Sequence, residues 1–170
     1  CFTGYNNETL IKACENDNLL SNKIVYLLSC LTGVLLGQSM VNKGAICYLG
    51  YNREFVFIGL EFPNSYAASF MRPAIVIPIY LINGYTAKEA YKAAIDQFNK
   101  EIEYWSNSND PYASEIIKWL IWDRDSLVLY GNENAKITVP IVRGIPLLPI
   151  LISILGISIL LFFYFFKLSS

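Results

Sequence analysis

The run PLLPILISILGISILLFFYFF, from Pro146 to Phe166, carries no charge over about 20 residues. At ~1.5 Å per residue, a helix of that length matches the ~30 Å hydrocarbon thickness of a bilayer. No other stretch narrows the options for this chain as much. Its Leu, Ile and Phe residues, each worth about −0.3 to −0.6 kcal/mol at a helix centre, outweigh Ser153, Ser158, Gly156 and Pro149. The sequence therefore predicts a transmembrane helix from Leu147 to Phe166, within an anchor and short tail over 145–170, with the lipid bilayer as partner. A tether over 136–144 joins it to a folded domain over 1–135. Arg143 and Lys167 bracket the segment, so flanking charge alone assigns no orientation.

Two earlier apolar stretches read differently. Ile24 to Val41 (IVYLLSCLTGVLLGQSMV) begins β-branched and aromatic, then interleaves Gly33, Gly37, Gln38 and Ser39 among apolar residues. That is the pattern of a buried strand leading into a helix. Ala67 to Ile82 contains Arg72 and two prolines, costly in lipid but ordinary in a helical region packed on a sheet.

The 170 residues carry thirteen Lys and Arg against fourteen Asp and Glu, a net charge of −1. With no clustered basic surface, nucleic acid is excluded as a partner. Cys1, Cys14, Cys30 and Cys47 are widely spaced, with no C-x-x-C pair and no histidine. No metal site, dithiol redox motif or cofactor is expected, while disulfide pairing and oligomeric state stay open. The chain opens at Cys1 without Met or a leader, which reads as processing or as part of something longer.

The remaining pattern is α/β. Glu8 to Cys14 reads as a surface helix, Lys43-Gly44 as a turn, and AICYLG from Ala45 to Gly50 as a buried strand. Thr86 with Glu89 forms a capping box ahead of apolar residues at helical spacing, Ala90, Ala94, Phe98, Ile102 and Trp105. Tyr112 to Ile121 reads as a further helix and Ser126 to Tyr130 as a strand closed by Gly131-Asn132. Strands and helices in this alternation predict an α/β domain.

Cys30 falls where the first buried strand gives way to a helix, the place where open α/β sheets build active sites and where free backbone N–H groups favour an anion. A thiolate there is stabilised, and the amides of Cys30 and Gly33 are close enough to hold an oxyanion if the sulfur attacks a carbonyl. The competing reading is a small buried residue with no chemistry.

The string VYLLSCLTGVLLGQSMVNKGAICYLGY, from Val25 to Tyr51, resembles the caspase-like cysteine peptidases of the gingipain and clostripain type and the related CHAT domains. In that clan a hydrophobic strand ends in the nucleophilic Cys, a small residue and Gly follow, then a Gly-containing helix and a "Gly-Ala, apolar, Gly" strand. Here these are Cys30, Thr32-Gly33, Leu36-Gly37 and Gly44-Ala45 through Gly50. Gly84-Tyr85-Thr86 with Glu89-Ala90 is similar to the family's "G-x-T-x-x-E-A" helix start. LVLYGN, from Leu127 to Asn132, is similar to its closing strand, with Asn132 where Asp is usual. The resemblance implies a caspase-like sheet with flanking helices, incomplete at its N-terminal side, and Cys30 as nucleophile in peptide-bond hydrolysis on a peptide or protein substrate. It also implies that the family's His-Gly lies just upstream of Cys1-Phe2-Thr3-Gly4, so that the chain by itself lacks the base and is inactive. Because family members are often secreted or surface-bound, it places the domain outside the cytoplasm, with Lys167 inside.

Cys14 and Cys47 read as structural. Glu54, Glu61 and Asp123 are candidates to line a pocket for a basic side chain, against the plainer reading of solvated charges. Met71, Phe70, Tyr80, Trp105, Trp119 and Trp122 read as packing rather than a ligand cage. Two other readings fit the same residues: a binding or scaffold module that kept the fold and lost the base, and a small multi-span membrane protein with no enzymatic role.

Overall fold

Strand Cys47–Tyr51 is buried at every position, and the rest of the domain is arranged around it. The computed structural model describes residues 1–4, 6, 8–59 and 65–138. Strands β1 (Phe2–Thr3) and β2 (Thr9–Ile11) form an antiparallel pair. A short 3-10 helix, Asp17–Leu20, leads to β3 (Ile24–Leu27), α1 (Leu36–Asn42) and β4 (Cys47–Tyr51). Helices α2 (Ser65–Ile82), α3 (Ala87–Ser106) and α4 (Ala113–Ser126) follow, and β5 (Leu127–Gly131) closes the described chain's second sheet.

That sheet runs β3-β4-β5. Strand β3 is parallel to β4, with Ile24 opposite Cys47 and Leu27 opposite Gly50; β5 is antiparallel to β4, with Tyr51 opposite Leu127. Alternate β4 side chains leave on opposite faces. Tyr48 packs with Val25, Leu36, Met40 and Ala45 on the α1 side. Cys47, Leu49 and Tyr51 join Phe70, Ile77, Ala90, Ala94, Phe98, Ile116 and Leu120 on the side of α2, α3 and α4. Burial on both faces is why CYLGY has no polar alternation.

The three long helices owe their form to different signals. Helix α3 starts at the expected capping box: Thr86 Oγ1 accepts from the Glu89 amide, and Glu89 Oε2 accepts from the Thr86 amide at 2.7 Å. Its buried residues Ala90, Ala94, Phe98 and Trp105 follow the expected spacing. Helix α2 runs through Pro73 and Pro78, and its Arg72 reaches across to α3, donating through Nε and Nη2 to the two Glu101 oxygens at 2.7 Å each. In α4 the buried positions Ala113, Ile116, Leu120 and Asp123 make one stripe, which puts an acid on the apolar face.

Two expectations are corrected. Glu8 to Cys14 is not a surface helix: Thr9–Ile11 is a strand paired with Phe2–Thr3. The α/β domain completed by a transmembrane helix is not what the structure presents, since among the described residues no helix is long and apolar enough to cross a membrane. Arg72 interrupts the apolar surface of α2, and the charged residues of α3 give it a polar face. The segment Leu147 to Phe166 lies outside the described residues.

Candidate functional site

Between the end of β3 at Leu27 and the start of α1 at Leu36, eight residues form a tight loop that carries Cys30 exposed to solvent. The loop is pinned to the segment after β4. The Leu31 amide donates to Arg53 O at 3.0 Å and the Gly33 amide to Tyr51 O at 2.8 Å. A side chain at Gly33 would lie 2.8 Å from Val128 Cγ2 and 2.9 Å from Tyr51 O, so only glycine permits this approach. From below, buried Tyr48 donates its hydroxyl to Thr32 Oγ1 at 2.8 Å, and Thr32 donates to Ser29 O at 3.0 Å. Leu31, next to Cys30, has φ of 59°, a left-handed conformation that costs a non-glycine residue about 1–2 kcal/mol. Strain of this kind persists only where surrounding contacts over-determine it, and it concentrates at functional sites.

The Gly33 amide does not stand free beside the sulfur as the sequence suggested. Helix α1 begins at Leu36, and two amides beside its start are already engaged, Gly37 N–H with Thr32 O and Gly33 N–H with Tyr51 O. Gly33 therefore serves as the point of backbone contact, and its amide is not free to receive an oxyanion. The Cys30 amide makes no backbone bond of this set among the described residues.

The thiol rests on the segment that follows β4. Cys30 Sγ donates to Phe55 O at 3.9 Å, and the Phe55 ring packs edge-on against Tyr51 with centroids 4.8 Å apart. On either side of Phe55, two consecutive residues of α4 take hold of the same backbone. Trp122 Nε1 donates to Glu54 O at 2.9 Å, and the Val56 amide donates to Asp123 Oδ1 at 2.9 Å. Asp123 is fully buried, and burial pushes its carboxyl up to about 7 against the opposing effect of the Val56 amide.

The candidate acids Glu54 and Asp123 do not share one pocket. Glu54 lines a cleft of about 350 Å³ with Val56, Lys118, Trp119 and Trp122, where the Lys118 ammonium lies 4.4 Å from the Trp119 ring and Arg53 lies 4.7 Å from the Trp122 ring. Asp123 turns to Val56 instead, and Glu61 lies outside the described residues. Cys14 is exposed, and Cys47 is buried in β4, where burial pushes its thiol up to about 11. Phe70 and Trp105 are core residues; Met71 is half-buried on α2, and Tyr80 packs at the core's margin.

No local pattern signals the hydrogen bond from Tyr48 to Thr32 or the left-handed Leu31, and none pairs Trp122 with Asp123. A readable signal existed for the last: Asp123 follows Ile116 and Leu120 at helical spacing, so a charged residue occupies the buried stripe. No protein-family model, curated protein or solved structure matches the chain.

Proposed function

We propose that this chain is the nucleophile-bearing part of a caspase-like cysteine peptidase, with Cys30 attacking the peptide carbonyl. The observation that supports the reading is the exposure of Cys30 on a strained, heavily braced loop at the carboxyl end of a parallel strand, within the segment that resembles the clan. In the reaction Cys30 Sγ bonds to the carbonyl carbon, its proton passes through a base to the leaving amine as the C–N bond breaks, and water then hydrolyses the thioester and restores the thiol. The Cys30 amide is the oxyanion donor in this scheme, since that of Gly33 is bonded to Tyr51 O.

The chain has no histidine, so the proton carrier is an imidazole from outside these residues. The test is cleavage of a fluorogenic peptide library by the 170-residue chain with and without added imidazole, alongside Cys30→Ala. No turnover is expected without imidazole, and slow turnover that needs Cys30 is expected with it. Turnover that survives Cys30→Ala, or acylation trapped on Cys1 or Cys14 instead of Cys30, overturns the proposal.

The missing histidine also favours a second reading, a peptide-binding module that keeps the fold without hydrolysis. Stable capture of library peptides, with no thioester formed at any imidazole concentration, supports that alternative.

A further inference from the structure

We propose that Trp122 and Asp123 are positioning residues for Cys30, holding the backbone of Glu54-Phe55-Val56 so that the Phe55 carbonyl forms a fixed shelf under the thiol. The inference rests on the reading of Cys30 as the reactive group, and extends it to a device about ninety residues away in sequence.

The geometry carries it. In an extended segment, consecutive peptide groups point in alternate directions, so one carbonyl can face a loop while its neighbours face a helix. Here Arg53 O accepts from Leu31 N–H and Phe55 O accepts from Cys30 Sγ, both toward the Cys30 loop. Glu54 O accepts from Trp122 Nε1 and Val56 N–H donates to Asp123 Oδ1, both toward α4. The segment is thus gripped on both sides. Residues 54–59 have no regular secondary structure of their own, so these side-chain bonds replace the ladder that β4 provides up to Tyr51.

The chemistry of Asp123 favours a dedicated role. Its side chain is wholly buried, one oxygen is spent on the Val56 amide, and Oδ2 makes no hydrogen bond among the described residues. A buried carboxyl oxygen with no partner keeps the desolvation penalty that a hydrogen bond would offset. An apolar residue would complete the stripe of Ile116 and Leu120 without that cost but would leave the Val56 amide unpaired. Trp122 adds a second grip one residue away, under the Arg53 guanidinium.

The experiment follows alkylation of each cysteine in the full chain by mass spectrometry, under native conditions with iodoacetamide. Buried Cys47 reports any general opening of the sheet, and exposed Cys1 and Cys14 report the intrinsic rate. Trp122→Phe removes only the indole N–H, Asp123→Ala removes the acceptor, and Asp123→Asn keeps an oxygen for the Val56 amide. Trp122→Phe and Asp123→Ala should each raise the Cys30 rate at least threefold relative to Cys14, with Cys47 still protected, while Asp123→Asn restores the wild-type ratio. An unchanged Cys30 rate in Trp122→Phe with Cys47 protected overturns the proposal, as does a rise in Asp123→Asn equal to that in Asp123→Ala. Should Asp123→Ala expose Cys47 by unfolding, the Trp122→Phe and Asp123→Asn pair decides alone. The readout requires no turnover, so a failed shelf is distinguishable from a chain that is not a peptidase.

Discussion

The Tyr48 hydroxyl donates to Thr32 Oγ1 at 2.8 Å, joining the central strand to the loop that carries Cys30. Thr32 passes the bond on to Ser29 O, so a buried phenol sets the shape of an exposed turn through one intermediate. Burial pushes the Tyr48 hydroxyl up to about 12, which keeps it a donor throughout the neutral range.

Tyr48→Phe should therefore cost about 1–2 kcal/mol, since it leaves buried Thr32 short of a partner. The loss should be local. Hydrogen exchange of amides over residues 29–35 should rise before that of β4, and equal acceleration across both would contradict a dedicated brace.

Gly37 on α1 lies against the same ring. A side chain there would come within 2.5 Å of Tyr48 Cδ1, and one at Gly50 within 2.1 Å of the Tyr48 hydroxyl oxygen. Both neighbours belong to the fully buried sheet–helix contact, which has no slack to yield. Gly37→Ala should destabilise by about 1–3 kcal/mol despite the better helix propensity of alanine. A denaturant midpoint equal to or above wild type would refute the close packing of α1 on Tyr48.

The elements best foreseen were those whose signal is local. The capping box at Thr86 and Glu89 and the spacing of Ala90, Ala94 and Phe98 are written within one helix, and the helix forms there. β4 was legible because a strand covered on both faces must be apolar throughout. Glu8 to Cys14 misled because Thr9–Ile11 takes its conformation from Phe2–Thr3, and strand pairing overrides weak helical spacing. At the site, the position of Cys30 at a strand end could be read, but the fate of the Gly33 amide could not. That depended on how closely residues 31–33 approach 51–53, a tertiary distance no local pattern encodes.

Arg72 and Glu101 explain why α2 tolerates a charge in an apolar stretch. Glu101 is nearly buried while the Arg72 side chain is half exposed, and the two are joined by paired hydrogen bonds. Burial pushes the Glu101 carboxyl up, yet the donors Arg72, Gln97 and Ser69 outweigh it and leave it below its ordinary value. A carboxyl lowered in this way contributes stability above its unfolded value, and that contribution is lost as pH falls through the folded one. Arg72→Ala strands the carboxylate and should cost about 1–3 kcal/mol at pH 7, discounted for the exposure of the guanidinium. The cost should shrink near pH 4. A urea midpoint difference that stays constant from pH 7 to pH 4 would show that the arginine acts by packing alone.

Asp123 reverses that sign. Its folded carboxyl is held at about 7, above the ordinary value of 3.8, because burial disfavours the charge more than the Val56 amide favours it. The folded chain therefore binds this proton more tightly than the unfolded one. Its favourable contribution is complete below about pH 4, falls as pH rises from there to about 7, and is lost above that. The full swing is on the order of 4 kcal/mol. Asp123→Asn cannot ionise, so its stability relative to wild type should improve steadily as pH rises from 4 to 8, with most of the gain made by pH 7. Because Glu101 and buried Asp17, which accepts from the Ser39 hydroxyl, lose stability in the opposite direction on acidification, the comparison must be made between variant and wild type at each pH. Parallel urea titrations at pH 5 and pH 8 supply it. A difference between the two proteins that is the same at both values would mean that Asp123 does not titrate in this interval, and that its burial is matched by a partner which stabilises the charge.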